Sequence, residues 1–425
     1  MIPNNTTIAI IGGEIYSPSY QSTGNIFIRN GKIGAVGTDP FEPVEHPAIT
    51  TIDATGYKVI PGLIDALVHG GGGYDTMTGN VEDLEKVARA HAADGVTSIL
   101  PAVSSANMKQ IEAALEAIGH VIDNPVEGGS CVLGSYVEGK FGNYDKRGAQ
   151  NPKYISPPNF EEFHTMWAAS DGTLKVISIA LENDEALKFT KHLAAYRDEA
   201  YNNIVIAMGH TNATYNQAMA AIDAGITRAT HTYNGMSGLH HRNLGVVEAV
   251  YSSPGIHAEL IADEQHVKPI WGEILIKWKG VEGVGLVTDC LSLAGVPKAE
   301  WLEDYVHDPA LGAYRSKRKG PKQYIKDGAI WLNLGEADEV LFGGMNTLME
   351  GLRNVVSWGF TLEEAATMAT LTPAKNLGVD GQKGSITPNK DADIVILDAD
   401  LTVKMVMIEG KIIKCVKDRG VVLYM

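Results

Sequence analysis

Ile204-Val-Ile-Ala-Met208 runs directly into Gly209-His210, then into the amphipathic stretch Tyr215–Ala224, then into Ile226-Thr-Arg-Ala-Thr230 and His231. An apolar run, a helix-period run and a second apolar run make a strand–helix–strand unit. Both strands stop at a histidine. The unit recurs in each direction along the chain. Thr97–Pro101 leads into helical Met108–Ile122, and Gly283–Val287 comes before the helical pattern Thr347–Ser357. The alternation persists for roughly 320 residues, which predicts a parallel α/β architecture of the size of a (β/α)8 TIM-like barrel.

Both ends of the chain differ from this middle. Thr7–Ile11, Asn25–Arg29 and Lys32–Val36 alternate as strands, and Asn30-Gly31 is a hairpin turn signal. Asp393–Leu397, Leu401–Ile408 and Lys411–Val416 are also strand-like, with Glu409-Gly410 as a turn. Lone hairpins are only marginally stable, so the two ends are expected to share one small discontinuous β-sandwich domain. The predicted division is 1–56 plus 382–425 for that domain and 57–381 for the barrel. Pro297–Lys326, polar and weakly patterned, reads as a long excursion over the barrel mouth.

Composition narrows the function classes. The formal charge of −16 argues against nucleic acid and anionic membranes, which require clustered cations. A small anionic substrate is compatible with it, because a few local cations hold one phosphate. Cys131, Cys290 and Cys415 lie far apart and form no disulfide framework. Met1–Tyr20 has neither a basic n-region nor a long apolar h-region, so a cytoplasmic enzyme is expected.

Other apolar runs also end in titratable residues. Lys58–Val68 ends at His69, Cys131–Val137 at Glu138, and Gly283–Thr288 at Asp289. Any one of these alone reads as a hydrogen-bonded histidine, a helix N-cap or a loop carboxylate. Together, on strands of one barrel, they meet at one mouth, and a mixture of histidines and carboxylates suits a divalent metal. Gly70–Gly73 lacks the pattern of a phosphate loop and reads as a tight turn. His240 and His241 are either sugar-site or surface residues.

The motifs carry a resemblance. His210-Thr-Asn-Ala-Thr-Tyr, Ala229-Thr-His-Thr-Tyr-Asn-Gly-Met-Ser237 and Leu239-His-His-Arg242 come in order. So do Pro61-Gly-Leu-Ile-Asp65, Val137-Glu-Gly139, Lys146-Arg-Gly-Ala-Gln-Asn-Pro152, Ala258–His266, Leu286-Val-Thr-Asp289 and Lys383–Asp393. Over nearly the whole chain this set resembles the N-acetylglucosamine-6-phosphate deacetylase family of amidohydrolases. The resemblance implies one divalent metal per subunit, zinc first, with iron, manganese or nickel as alternatives. Its ligands would be Glu138, His210 and His231, and the catalytic acid/base Asp289. Ala149, Asn234, Gly235, Arg242, His266, Leu341, Phe342 and Gly343 would contact an amino sugar phosphate. A homodimer is implied, with Arg242 reaching across the interface.

Departures from the family pattern are visible as well. Two-metal members carry a His-x-His pair where this chain reads Leu67-Val68-His69, which leaves His69 as a remnant of a second site. Lys140 replaces a proline and could disturb Glu138. Gln150 replaces a histidine, Gly235 an alanine, and Phe342 adds a ring near the expected sugar. These changes leave the galactosamine epimer and an inactive sugar-phosphate binding homologue as alternatives.

Overall fold

The computed structural model describes residues 7–18, 20–38, 49–318, 321–415 and 422–424. Val416, the last residue of the expected strand from Lys411, lies outside them, and nothing is described of the Cys415 side chain.

The barrel wall is a parallel sheet of nine strands. Without the two-residue piece Cys131–Val132 it has eight: β1 (Leu63–Val68), β2 (Val96–Val103), β3 (Ser135–Phe141), β4 (Leu174–Ile179), β5 (Val205–Met208), β6 (Arg228–Ala229), β7 (His257–Ile261) and β8 (Val284–Val287). They pair in chain order. Closure is made between β8 and β1, where Asp289 N–H donates to Leu67 O (3.0 Å) and His69 N–H to Cys290 O (3.0 Å). Asp65 reinforces this seam, its carboxylate accepting from Thr288 N–H (3.2 Å) and from the Thr288 hydroxyl (2.6 Å).

Nearly every residue of these strands is buried, as expected where helices cover the outer face and side chains fill the interior. The helices start where the sequence caps them. Asn80, Asn107, Asn159, Asn183 and Thr214 each accept a main-chain N–H of the first turn from the N-cap position. No helix among the described residues is long and apolar enough to cross a membrane.

Strands from both chain ends form a second sheet with its own core, including Ile8, Ile26, Ile52, Ile394 and Met405. The long strand Thr7–Ser17 is irregular between Ile10 and Gly13, pairing with Ile49–Asp53 before that point and Lys58–Pro61 after it. Lys58–Val68 is therefore not one strand. Lys58–Pro61 pairs with Ile394–Leu397, and Leu63–Val68 enters the barrel. The change of sheet takes one step: Gly62 N–H donates to Asp393 O and Leu63 N–H to Gly95 O. Bulk at Gly62 would collide with Thr97, so glycine is needed here.

The excursion is more ordered than its sequence suggests. Tyr305–Asp308, Ala313–Ser316, Gln323–Lys326, Ala329–Leu332 and Val340–Gly344 form a five-stranded antiparallel sheet. It has a small core of Trp301, Tyr305, Ile325 and Ile330, against which Phe342 packs. Leu291 N–H donates to Gly344 O (3.0 Å), which ties the sheet to the end of β8.

Candidate active site

The barrel brings the strand-end residues to one mouth. Glu138 lies within β3, His210 and His231 just beyond β5 and β6, Asp289 just beyond β8, and His69 just beyond β1. His210, His231 and Asp289 have φ of 44°, 30° and 48°, a left-handed backbone that few non-glycine residues adopt. The turn at each of these three strand ends redirects the side chain.

Glu138, His210 and His231 converge with ligand atoms within 4.8 Å of one another, all three buried. Glu138 Oε1 faces both rings. His210 Nε2 is in direct contact with it and His231 Nε2 is 3.1 Å away, while the two Nε2 atoms are 3.2 Å apart. His210 Nδ1 lies 2.8 Å from Lys146 O, so a neutral ring donates there and carries its lone pair on Nε2. His231 is held from behind. Its main-chain N–H donates to Glu259 Oε2 (2.8 Å), and Glu259 Oε1 is paired with the fully buried Arg228 at 2.6 Å. His231 Nδ1 is buried and without a hydrogen-bond partner among the described residues.

The electrostatics call for positive charge at this point. Burial would raise the Glu138 carboxyl, but the His210 and His231 rings outweigh it and hold the group well below the usual carboxylate range. Burial likewise disfavours a charged His231, yet its bond to Glu138 and the charges of Asp289, Glu138 and Glu259 push it up to about 9. One carboxylate oxygen and two imidazole nitrogens converge there, a donor set that zinc and similar divalent ions take.

His69 stands beside the cluster but outside it. Its Nε2 is 3.2 Å from Asp289 Oδ1 and 3.8 Å from Glu138 Oε2, and its Nδ1 is 3.0 Å from the Ser104 hydroxyl. Leu67 is fully buried in the barrel interior, among apolar neighbours such as Leu100.

The concern over Lys140 is removed by the structure. β3 is irregular between Val137 and Phe141, and Lys140 Nζ turns away from Glu138. It donates to Tyr154 O (3.1 Å), the Ser156 hydroxyl (3.0 Å) and Glu162 Oε1 (2.7 Å). It anchors the loop that carries Ala149 and Gln150.

Gly235 has φ of 58°, and a Cβ there would lie 2.9 Å from His210 Nδ1, which accounts for glycine in this chain. Asn234 sits one turn beyond His231 and donates from Nδ2 to its carbonyl (3.2 Å). His266 follows β7, and its ring is held by Asp263. Leu341, Phe342 and Gly343 lie on the last strand of the excursion sheet. Arg242 is exposed, and no partner of its guanidinium is found among the described residues. Sequence reasoning gave no role to Asp263, Glu259 or Ser104 and noted Gln150 only as a departure at a histidine position; the structure places them against His266, His231, His69 and Glu138. Asp263 left a local signal, a carboxylate three residues before a histidine.

Comparison with known proteins agrees with this geometry. The amidohydrolase family model matches residues 58–413. An N-acetylgalactosamine-6-phosphate deacetylase of Escherichia coli O157:H7 is 34% identical over 91% of this chain and 93% of its own. An N-acetylglucosamine-6-phosphate deacetylase of Vibrio furnissii is 31% identical over 91% of this chain and 89% of its own. The crystal structure of an N-acetylglucosamine-6-phosphate deacetylase of Pasteurella multocida superposes with a TM-score of 0.82 at 26% identity, covering 96% of this chain and 99% of that one. This chain belongs to the amidohydrolase family.

Proposed function

We propose that the protein hydrolyses the acetamide of N-acetyl-D-glucosamine 6-phosphate, giving D-glucosamine 6-phosphate and acetate. The observation that carries this reading is the convergence of Glu138, His210 and His231 at a barrel mouth beside Asp289, in a chain whose relatives are acetylhexosamine phosphate deacetylases. One divalent cation, zinc first, fits Glu138 Oε1, His210 Nε2 and His231 Nε2; when bound it supplies Lewis acidity toward water and the amide carbonyl.

The remaining steps fall to side chains. Asp289 takes the proton of the attacking water and returns it to the departing amine nitrogen. His69, 3.2 Å away, orients that carboxylate. His266, gripped by Asp263, holds the acetamide. Ala149, Asn234, Gly235 and Leu341–Gly343 border the sugar, and Arg242 takes the phosphate with its fork of donors.

The exposed Arg242 is read as serving a second copy. On the helix Pro269–Lys279, Ile270, Ile274 and Trp278 are exposed at i, i+4 and i+8 with Trp271 beside them, and Trp278 is 68% exposed. Tyr233 donates to Trp271 O (2.9 Å) and links that stripe to Asn234. Such an apolar stripe supports a homodimer. Two hydrophobic cores support two units close to 1–56 with 382–425 and 57–381, although Val59 packs in the chain-end core and Val395, Leu397, Val403, Val406 and Ile408 pack against the barrel. A cytoplasmic location follows from the cysteine usage.

The test is acetate release from N-acetylglucosamine 6-phosphate and its galactosamine epimer, with chelation and zinc add-back. Chelator-sensitive turnover that is faster on the glucosamine substrate supports the reading. Faster turnover of the epimer moves the substrate toward that of the Escherichia coli relative. Absence of turnover on both with cation bound rejects it.

A further inference from the structure

Gln150 stands where the family pattern has a histidine, and its contacts are specific. Its Oε1 accepts from Ser105 N–H (2.8 Å), and its Nε2 donates to Glu138 Oε2. Ser105 is in turn fixed to the same loop, because Asn151 N–H donates to its hydroxyl (2.8 Å). The amide cannot flip. A flipped Gln150 would set NH2 against the Ser105 N–H and oxygen against the carboxylate. Room for this side chain comes from Gly139, where φ is 76° and a Cβ would fall on the Gln150 amide.

The consequence concerns Glu138. A free carboxylate rotates easily about its last torsion and offers a cation one oxygen or two. Here Oε2 is already engaged, and only Oε1 faces His210 and His231. The donor is also neutral. It orients the carboxylate without adding positive charge that would offset the field a cation requires. Lys140 completes the arrangement by holding the far end of the loop through Tyr154 O and Ser156.

We propose that Gln150 is a positioning residue that locks Glu138 into one-oxygen presentation and thereby sets the affinity of this chain for its divalent cation. This rests on the reading of Glu138, His210 and His231 as cation ligands.

The test is zinc affinity, measured by competition with a chromophoric chelator, for the wild type, Gln150→Ala and Gln150→Met. Methionine keeps the bulk and removes the donor, which guards against a folding failure. The expected result is affinity about 10-fold weaker in both variants, the usual scale for removing a partner of a ligand. The metal-free melting temperature of Gln150→Met should stay near that of the wild type. Variants that bind zinc as tightly as a zinc-binding wild type overturn the proposal and leave the three-ligand reading intact. A lower melting temperature with unchanged affinity also overturns it, since Gln150 would then only hold the loop. A wild type that binds no zinc overturns the ligand reading itself.

Discussion

His266 Nδ1 lies 2.6 Å from Asp263 Oδ2, while the main-chain N–H groups of Gln265 and His266 donate to Asp263 Oδ1 at 2.9 and 2.8 Å. Both carboxylate oxygens are satisfied, and the imidazole is fixed with Nε2 as its free end. Asp263→Asn should release that orientation. We expect kcat to fall about 10²-fold, the low end of what losing one donor to the reacting carbonyl costs. Zinc content, measured on the same sample, should not change. Loss of zinc along with activity would refute the orienting role.

Glu138→Gln and Asp289→Asn should both be inactive for different reasons. The first removes the charge that Oε1 gives to a cation, so purified protein should lack metal. The second removes the proton carrier only, so metal should remain while kcat drops about 10³-fold. Metal analysis beside acetate release separates the two, and equal metal loss in both would contradict the assignment.

Asp65 makes stability depend on pH. Burial pushes its carboxyl up to about 7, against the hydrogen bonds from Thr288 and Leu67 and with a further push from Asp289. The folded chain thus holds a proton that the unfolded chain releases near pH 4. Between those values the folded state binds more protons, so this contribution to stability is present at low pH and is lost as pH rises through 7. Asp65→Asn should melt at a temperature increasingly above that of the wild type from pH 5 to pH 8. A difference independent of pH would disprove the shift.

Lys140→Met should loosen the loop bearing Gln150. Lys140 is 4% exposed, whereas Glu162 is partly open, so the expected loss is about 2 kcal/mol rather than the full cost of breaking a buried pair. Denaturant titration measures it. KM should rise with it, since Ala149 lies on that loop.

Arg242→Ala should raise KM for the phosphorylated substrate about 10- to 100-fold, as expected for a lost charge-assisted pair. Trp278→Ser should shift the protein toward monomer in sedimentation, with the same rise in KM. A monomeric variant with unchanged KM would show that the arginine acts within its own subunit.

The barrel was legible because β1–β8 alternate with capped helices, and the mouth because apolar runs of the sequence end at His69, Glu138, His210, His231 and Asp289, although β3 continues past Glu138 to Phe141. The left-handed turns at His210, His231 and Asp289 were not legible, because neither residue type gives a local sign of where its backbone turns. The Gln150–Ser105 and Glu259–His231 contacts join residues distant in sequence, and spacing arguments do not reach them. The excursion sheet was missed because strands such as Tyr305–Asp308, Ala313–Ser316 and Gln323–Lys326 carry polar residues and lack the apolar runs that marked the barrel strands. Yet Asp327-Gly328, with φ of 51° and 80°, is the hairpin turn between two of them and could have been read.

The one-step passage from Lys58–Pro61 to Leu63–Val68 also affects how the chain is made. Lys58–Pro61 needs Ile394–Leu397 beside it, and that strand leaves the ribosome more than 300 residues later. Until then an apolar strand edge near the start of the chain stays open while the barrel grows from its other end, which is a period of exposure to aggregation. Pairing across so long a loop also makes completion of this sheet a slow, late event in refolding.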